Sequence, residues 1–144
     1  LKDNGTMICF YDLWKITTLR EYFESANFKQ IRFIEWVKTN PVPLNSKTNY
    51  LTNSREIAVV GVKKGRPTFN SEYDNGIYRY PICHDKGRFH PTQKPVALLE
   101  ELIFKHSHEN DTVSREVALL QLLPITRTGT SSDANCLKNI LTKP

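Results

Sequence analysis

The sequence predicts an α/β fold, a sheet with helices packed on it, interrupted by a long segment of irregular composition. Three observations carry this. Two β-prone apolar runs near the N-terminus flank a stretch with helical spacing. A third run, REIAVVGVKK, is rich in β-branched residues. An amphipathic pattern opens directly at Pro95. At 144 residues the chain is long enough for one domain with its own core, and 39% hydrophobic against 24% charged residues is a composition that folds.

Taken in order, GTMICFY (5–11) places apolar side chains on successive residues, which predicts a strand covered on both faces, as in a parallel α/β sheet. Thr18 is positioned to cap a helix through LREYFESA, where Leu19, Tyr22, Phe23 and Ala26 share a face and Asn27 supplies a stop. QIRFIEWV (30–37) is the second strand of a strand-helix-strand unit, ended by Pro41 and Pro43, which cannot donate to a ladder. A polar loop (44–54) leads to the third strand, with Ala58, Val59, Val60 and Val62 as its apolar body. Between Gly65 and Lys94 glycine, proline, tyrosine and basic residues replace any period, so loops or an irregular ribbon outside the core are expected. Pro95 then opens a helix whose stripe is Val96, Leu99, Leu102 and Ile103. The segment NDTV reads like the start of a further strand, and the pattern stops at Val113.

Twenty Lys and Arg against fifteen Asp and Glu leave a net charge of +5, which suits a polyanionic partner. Cys9, Cys83 and Cys136 form no paired spacing, which reads as reduced thiols in a cytoplasmic protein. No apolar run reaches the roughly 20 residues that span a bilayer, and a first residue other than Met leads to the expectation that the chain begins in mid-domain. Cys83, His84 and His90 lack the four paired ligands of a zinc site, so no metal is expected. His106 and His108 fall at a helix end, where interaction with the last carbonyls explains them.

Two motifs carry more than local structure. HPTQKP (90–95) is chemically a helix start, with Thr92 as capping hydroxyl, Pro95 fixing the first turn and Lys94 placing a cation at the loop mouth. EWVKTNPVP (35–43) is followed by Arg55, Glu56 and Ile57 at the head of the third strand. By itself Trp36 reads as a packed core aromatic. In this order the two motifs resemble those of the DNA N6-adenine and N4-cytosine amino-methyltransferases, in the permuted arrangement where an HPT-x-KP loop and helix precede the cofactor strand. The resemblance covers residues 1–113. It implies a partial Rossmann-like methyltransferase sheet with helices and a loop-rich target-recognition insert at 61–90. It also implies S-adenosylmethionine as the cofactor of the intact family, with His90, Pro91, Thr92, Lys94 and Pro95 shaping its pocket. Trp36, Lys38, Asn40 and Pro41 would stand near the target-base cleft. In the insert, Lys63, Lys64, Arg66, Arg79, Lys86 and Arg88 alternate with Phe69, Tyr73, Tyr78, Tyr80 and Phe89. The cations would neutralise DNA phosphates, while aromatic or amide side chains reach bases.

Amino methylation further requires an Asp, Asn or Ser followed by Pro-Pro-Tyr or Pro-Pro-Trp to hold the flipped base. The chain has no such tetrapeptide, and the permuted order would place it ahead of Leu1. The family's glycine-rich turn, D-x-F-x-G-S-G-T-T, is also absent; the chain reads SREVALLQLLPITRTGTSS from Ser114. Joining the third base of each codon to the first two of the next permits Gly-Ser-Gly-Thr-Thr at this place, so residues 114–144 are expected to be frameshifted and poorly ordered. The reading is therefore a site-specific adenine N6 methyltransferase of a restriction-modification system, inactive as this chain. The loss of the glycine turn argues against cofactor retention. DNA, a complementing methyltransferase chain and a cognate restriction endonuclease are the implied partners. The alternatives are a DNA-binding remnant or split-enzyme subunit, and a cytosine N4 enzyme.

Overall fold

A computed structural model describes residues 1–43, 48–83 and 93–114. They form one compact unit, Leu1–Asp111; a second unit, Thr112–Pro144, is described only at residues 112–114. The tail that the sequence marks as frameshifted and poorly ordered, from residue 115 on, lies outside the described residues.

The elements are β1 (Thr6–Tyr11), a 3-10 turn (Leu13–Lys15), α1 (Ile16–Ser25), β2 (Phe28–Lys38), β3 (Arg55–Lys63), β4 (Ile77–Tyr80) and α2 (Val96–His106). The four strands make one sheet in the order β1-β3-β2-β4. β3 is antiparallel to both β1 and β2, while β4 is parallel to β2. The expected parallel pairing of the first strand is thus corrected: β1, β2 and β4 share a direction, but β3 is inserted against the direction of β1. The reason is that an apolar run on successive residues reports burial of both faces and carries nothing about the neighbour's direction.

α1 crosses from β1 to β2 on one face of the sheet. It begins at Ile16, two residues before Thr18, because the chain turns first through the 3-10 segment, whose Trp14 N–H donates to Asp12 Oδ1 at 3.1 Å. It stops as expected at Asn27, whose φ of 65° is the left-handed conformation that ends helices. Leu19 and Phe23 bury its inner face with Phe28 and Val59. Phe23 lies so close to the sheet that a Cβ on Gly61 would meet its Cδ1 at 2.6 Å, so glycine is required there.

α2 covers the other face. Its buried residues are Leu98 and Leu102, packed with Ile34, Trp36, Ala58, Val60 and Tyr78. The stripe read from the sequence was therefore offset: Val96, Leu99 and Ile103 flank it half-buried, and Leu98 is its centre. Four apolar residues within a single turn leave that choice to the surface the helix meets. Pro95 sits one position before the first helical residue and is buried.

The stretch after β3 contains no strand or helix until Ile77, as its composition indicates. Ile77–Tyr80 nevertheless joins the sheet and sends Tyr78 into the core, which corrects the expectation that this whole stretch stands outside it. Four residues are too few to show a period of two.

Leu98 is completely enclosed. Leu98→Ala is expected to cost about 3 kcal/mol, the range for a leucine cavity that cannot collapse. Urea unfolding of the full chain measures this, and a loss below about 1 kcal/mol would remove Leu98 from the core.

Candidate functional site

Because β1, β2 and β4 run the same way, their C-terminal ends lie on one edge of the unit, the edge beyond which open α/β sheets bind ligands. The two sequence motifs meet there. Trp36, near the end of β2, is 2% exposed, and its Nε1–H donates to the Tyr80 carbonyl at 2.9 Å. Lys38 Nζ lies 5.4 Å from the Trp36 ring centre and 3.0 Å from Glu56 Oε1. Lys94 Nζ lies 2.5 Å from Glu56 Oε2, 5.2 Å from the Phe10 ring and 5.6 Å from the Trp36 ring. One carboxylate thus takes a lysine on each oxygen, above an aromatic floor. Burial opposes ionisation of Glu56, but the hydrogen bond and charge of Lys94, and then those of Lys38, outweigh it and hold the carboxyl below its ordinary range.

Asn40 ties the end of β2 to the segment after β4, its Oδ1 accepting the Ile82 N–H at 2.6 Å, while the Thr39 N–H donates to the Tyr80 carbonyl at 3.2 Å. Pro41 follows, half-buried. Of the expected cleft residues, then, Lys38, Asn40 and Pro41 gather at this C-terminal edge of the strands. Trp36 lies beneath them as buried floor with its N–H committed, not as an open stacking platform. Of the expected cofactor residues, Lys94 and Pro95 belong to this cluster or adjoin it, while His90, Pro91 and Thr92 lie outside the described residues. Two members of the cluster escaped the sequence reading. Phe10 looked like ordinary strand interior, and Glu56 was noted only as the head of the third strand. The available signal was an acidic residue opening an otherwise buried strand, which needs a counter-ion.

Among the described residues, the expected DNA-binding cations are not brought together. Arg79 is exposed on β4, beside Val37, which pairs with Arg55 at the head of β3. Lys63 closes β3 eight residues later, opposite Phe28, about 26 Å away at the usual strand rise. Lys63, Lys64 and Arg66 therefore occupy the opposite end of the sheet, with the two lysine side chains and the Arg66 backbone engaged locally. Lys63 donates to the Ala26 carbonyl and lies 5.1 Å from the Phe28 ring. Lys64 is 3.7 Å from Asp3, and the Arg66 N–H donates to Asn4 Oδ1 at 3.1 Å. Lys86 and Arg88 lie outside the described residues, as do His84 and Phe89.

Tyr78 and Tyr80, expected among base-reaching aromatics, fasten α2 instead. Lys105 Nζ bridges Asp74 Oδ2 at 2.7 Å and Glu101 Oε1 at 2.6 Å. Tyr80 OH donates to Glu101 Oε2 at 2.5 Å and Tyr78 OH to Asp74 Oδ2 at 3.2 Å. Asn70 Nδ2 donates to the Phe104 and Ser107 carbonyls at 2.9 and 2.6 Å. It thereby takes the capping role the sequence assigned to His106 and His108. The His106 ring instead lies 5.2 Å from Phe69, and His108 Nε2 lies 3.2 Å from Thr68 Oγ1.

Comparison with known proteins shows the family. Residues 1–114 match the family model of the N6/N4 DNA methylases, and the chain belongs to this family of S-adenosylmethionine-dependent DNA methyltransferases. It is 31% identical over 152 residues to the type II methyltransferase M2.MboI of Moraxella bovis, with 95% of this chain and 52% of that protein covered. It is 32% identical over 128 residues to M2.LlaDCHI of Lactococcus lactis subsp. cremoris, covering 78% of this chain and 47% of that one. The chain thus spans about half the length of these relatives. The solved structure of M1.HpyAVI in complex with SAM superposes with a TM-score of 0.63 at 31% identity, over 77% of this chain and 56% of that one. The α/β fold is that of a DNA methyltransferase.

The α2 latch makes stability depend on pH in a defined direction. Burial, and then the Asp74 charge, push the Tyr78 hydroxyl up to about 12. Burial disfavours the charged form of Lys105, but its hydrogen bonds to Asp74 and Glu101 outweigh this and raise its pKa. Both folded-state values lie above the unfolded ones, so this stability is complete below about pH 10 and is lost as pH rises through the folded values. Tyr78→Phe is expected to make the fall in melting temperature between about pH 10 and 12 shallower. Thermal melts across that interval check it; an equally steep fall in the variant contradicts the latch.

Proposed function

We propose that these residues form part of a site-specific DNA methyltransferase of a restriction-modification system, which moves a methyl group from S-adenosylmethionine to N6 of adenine. The observation that supports it most is the meeting of the W-x-K-x-N-P strand end and the Lys94–Pro95 junction on one carboxylate, at the ligand edge of a methyltransferase sheet. Type II methyltransferases are among its relatives, and a structural neighbour was solved with SAM bound.

The methyl donor carries a carboxylate and an adenosine. A partly exposed ammonium beside aromatic rings, as Lys94 presents, suits such a ligand, so Lys94 and Pro95 would line its site. When bound, the donor supplies a methyl group activated by the sulfonium, which the exocyclic amine attacks. The part of this chain is to hold the cationic junction in place, to exclude water through the packed Trp36 and Pro95, and to present Lys38 and Asn40 at the mouth. The clamp for the target amine and the glycine-rich turn are not encoded in these 144 residues, so activity belongs to the domain in which they are supplied, by this polypeptide or another. The reading of residues 114–144 as frameshifted agrees with a family match that ends at residue 114, although the M2.MboI alignment runs further. Sequencing the gene for a Gly-Ser-Gly-Thr-Thr reading in another frame tests it. Cytosine N4 is the second reading, because the matching family model spans both chemistries.

Tritiated methyl transfer to unmethylated duplex is expected to be absent with the chain alone and to appear when a polypeptide carrying the clamp and turn is added. Digestion to nucleosides then distinguishes N6-methyl-2′-deoxyadenosine from N4-methyl-2′-deoxycytidine. Turnover by the chain alone contradicts this reading. Duplex docked at the ligand edge meets Arg79 and not the far end of the sheet. Arg79→Gln is therefore expected to lower the slope of log affinity against log salt by about one. A joint Lys63→Gln, Lys64→Gln change is expected to leave it unaltered. The reverse pattern places DNA at the opposite end.

A further inference from the structure

Glu56 is poorly explained as an ordinary surface ion-pair partner. Exposed pairs contribute little because water screens them and both side chains must be immobilised. Here the side chains of Lys38, Glu56 and Lys94 are only 12%, 27% and 21% exposed, and each oxygen of the carboxylate has its own ammonium. Glu56 stands directly opposite Trp36 in the β2–β3 register, on a strand held by a neighbour on either side. Its neighbour Arg55 turns to the other face and approaches Glu35 at 3.7 Å. Lys94 is different in kind: it belongs to no strand or helix, and its backbone leads directly into buried Pro95 and, three residues on, the fully enclosed Leu98. The head of Lys94 therefore reports where the junction before α2 sits relative to the sheet.

We propose that Glu56 is a positioning residue, which pins the Lys94 ammonium over the Phe10 and Trp36 rings and so fixes the junction before α2 at the height the methyl donor requires. The proposal rests on the cofactor reading above. Its physical content is a charge argument. Lys38 and Lys94 approach one anion closely, and with that anion removed the two ammonium groups repel each other across a poorly solvated gap. Lys38 is set in β2 and stays near the Asn53 carbonyl, 3.5 Å from Nζ. The displaced group is Lys94, and Pro95 and the start of α2 shift with it.

Trp36 is a built-in reporter, since the chain has two tryptophans and the other, Trp14, is 90% exposed and distant from the lysine pair in chain order. In the full-length Trp14→Phe chain at neutral pH, Glu56→Gln is expected to shift the Trp36 emission, and Glu56→Asp to restore most of it. Lys94→Met is expected to shift it too while leaving the Lys38–Glu56 pair, which keeps the test open if Glu56→Gln fails to fold. Glu24→Gln, at the exposed Arg20–Glu24 pair on α1, serves as the charge control and leaves the emission unchanged. In parallel, with the chain combined with a polypeptide that carries the clamp and the glycine-rich turn, calorimetric titration with S-adenosylmethionine is expected to show about tenfold weaker binding in Glu56→Gln, the size of a lost charge-assisted hydrogen bond, with partial rescue in Glu56→Asp. Trp36 emission and donor affinity both unchanged in folded Glu56→Gln overturn the proposal. Equal donor affinity in the parent and Glu56→Gln overturns the positioning role while leaving the cofactor reading intact. No donor binding by the parent chain in that combination, with the Trp36 shift still dependent on Glu56, overturns the cofactor reading and sustains the pin.

Discussion

β3 runs against the strands on both of its sides, and its side chains are buried on both of its faces. Val59 looks toward α1, and Ala58 and Val60 toward α2. A strand buried in this way needs a layer on each side, and α1 and α2 are those layers. Its direction has a second effect. In a sheet whose other strands run together, the antiparallel member brings its first residues to their last. Glu56 thereby arrives among Lys38, Trp36 and the Lys94 junction, although twenty residues of chain separate it from Trp36. By the same geometry Lys63 and its neighbours are carried to the other end.

Two clusters of charge follow from the way α2 is seated, and they differ in what they touch. The Asp74, Glu101 and Lys105 group, with Tyr78 and Tyr80, joins α2 to β4, and every member is satisfied within it. Lys105, the cation at its centre, also lies 4.8 Å from the Tyr78 ring. Such a network fixes the angle of a helix more than it adds net stability, because desolvating the ions offsets much of their attraction. The Glu56 group lies at the N-terminal end of the same helix and faces the ligand edge. A helix held at both ends by polar contacts, and buried between them through Leu98 and Leu102, is a rigid support for whatever the preceding loop binds.

Much of the fold was legible because its signals are local. The β-branched body of β3, the stop at Asn27 and the helix opening at Pro95 each depend on residues within a turn or a few positions of one another. The family was legible because two short motifs in a fixed order suffice to mark it. Leu98 was missed in favour of Leu99 because α2 has apolar residues at 96–99 and 102–104, and only the surface it meets selects the line that is buried. β4 was missed because four residues show no reliable alternation. Its tyrosines then looked like loop aromatics free to meet a base.

The amino-acid sequence by itself determined most of the elements, the covered faces of β1 and β3 and the methyltransferase family, since side-chain period, capping chemistry and motif order are properties of neighbours along the chain. Tertiary structure decided which charges meet. It joined Lys38 and Lys94 through Glu56 over the buried Trp36 and parted Arg79 from Lys63. Such pairings depend on strand direction and register across loops, and a shift of one residue would send every side chain of a strand to its other face.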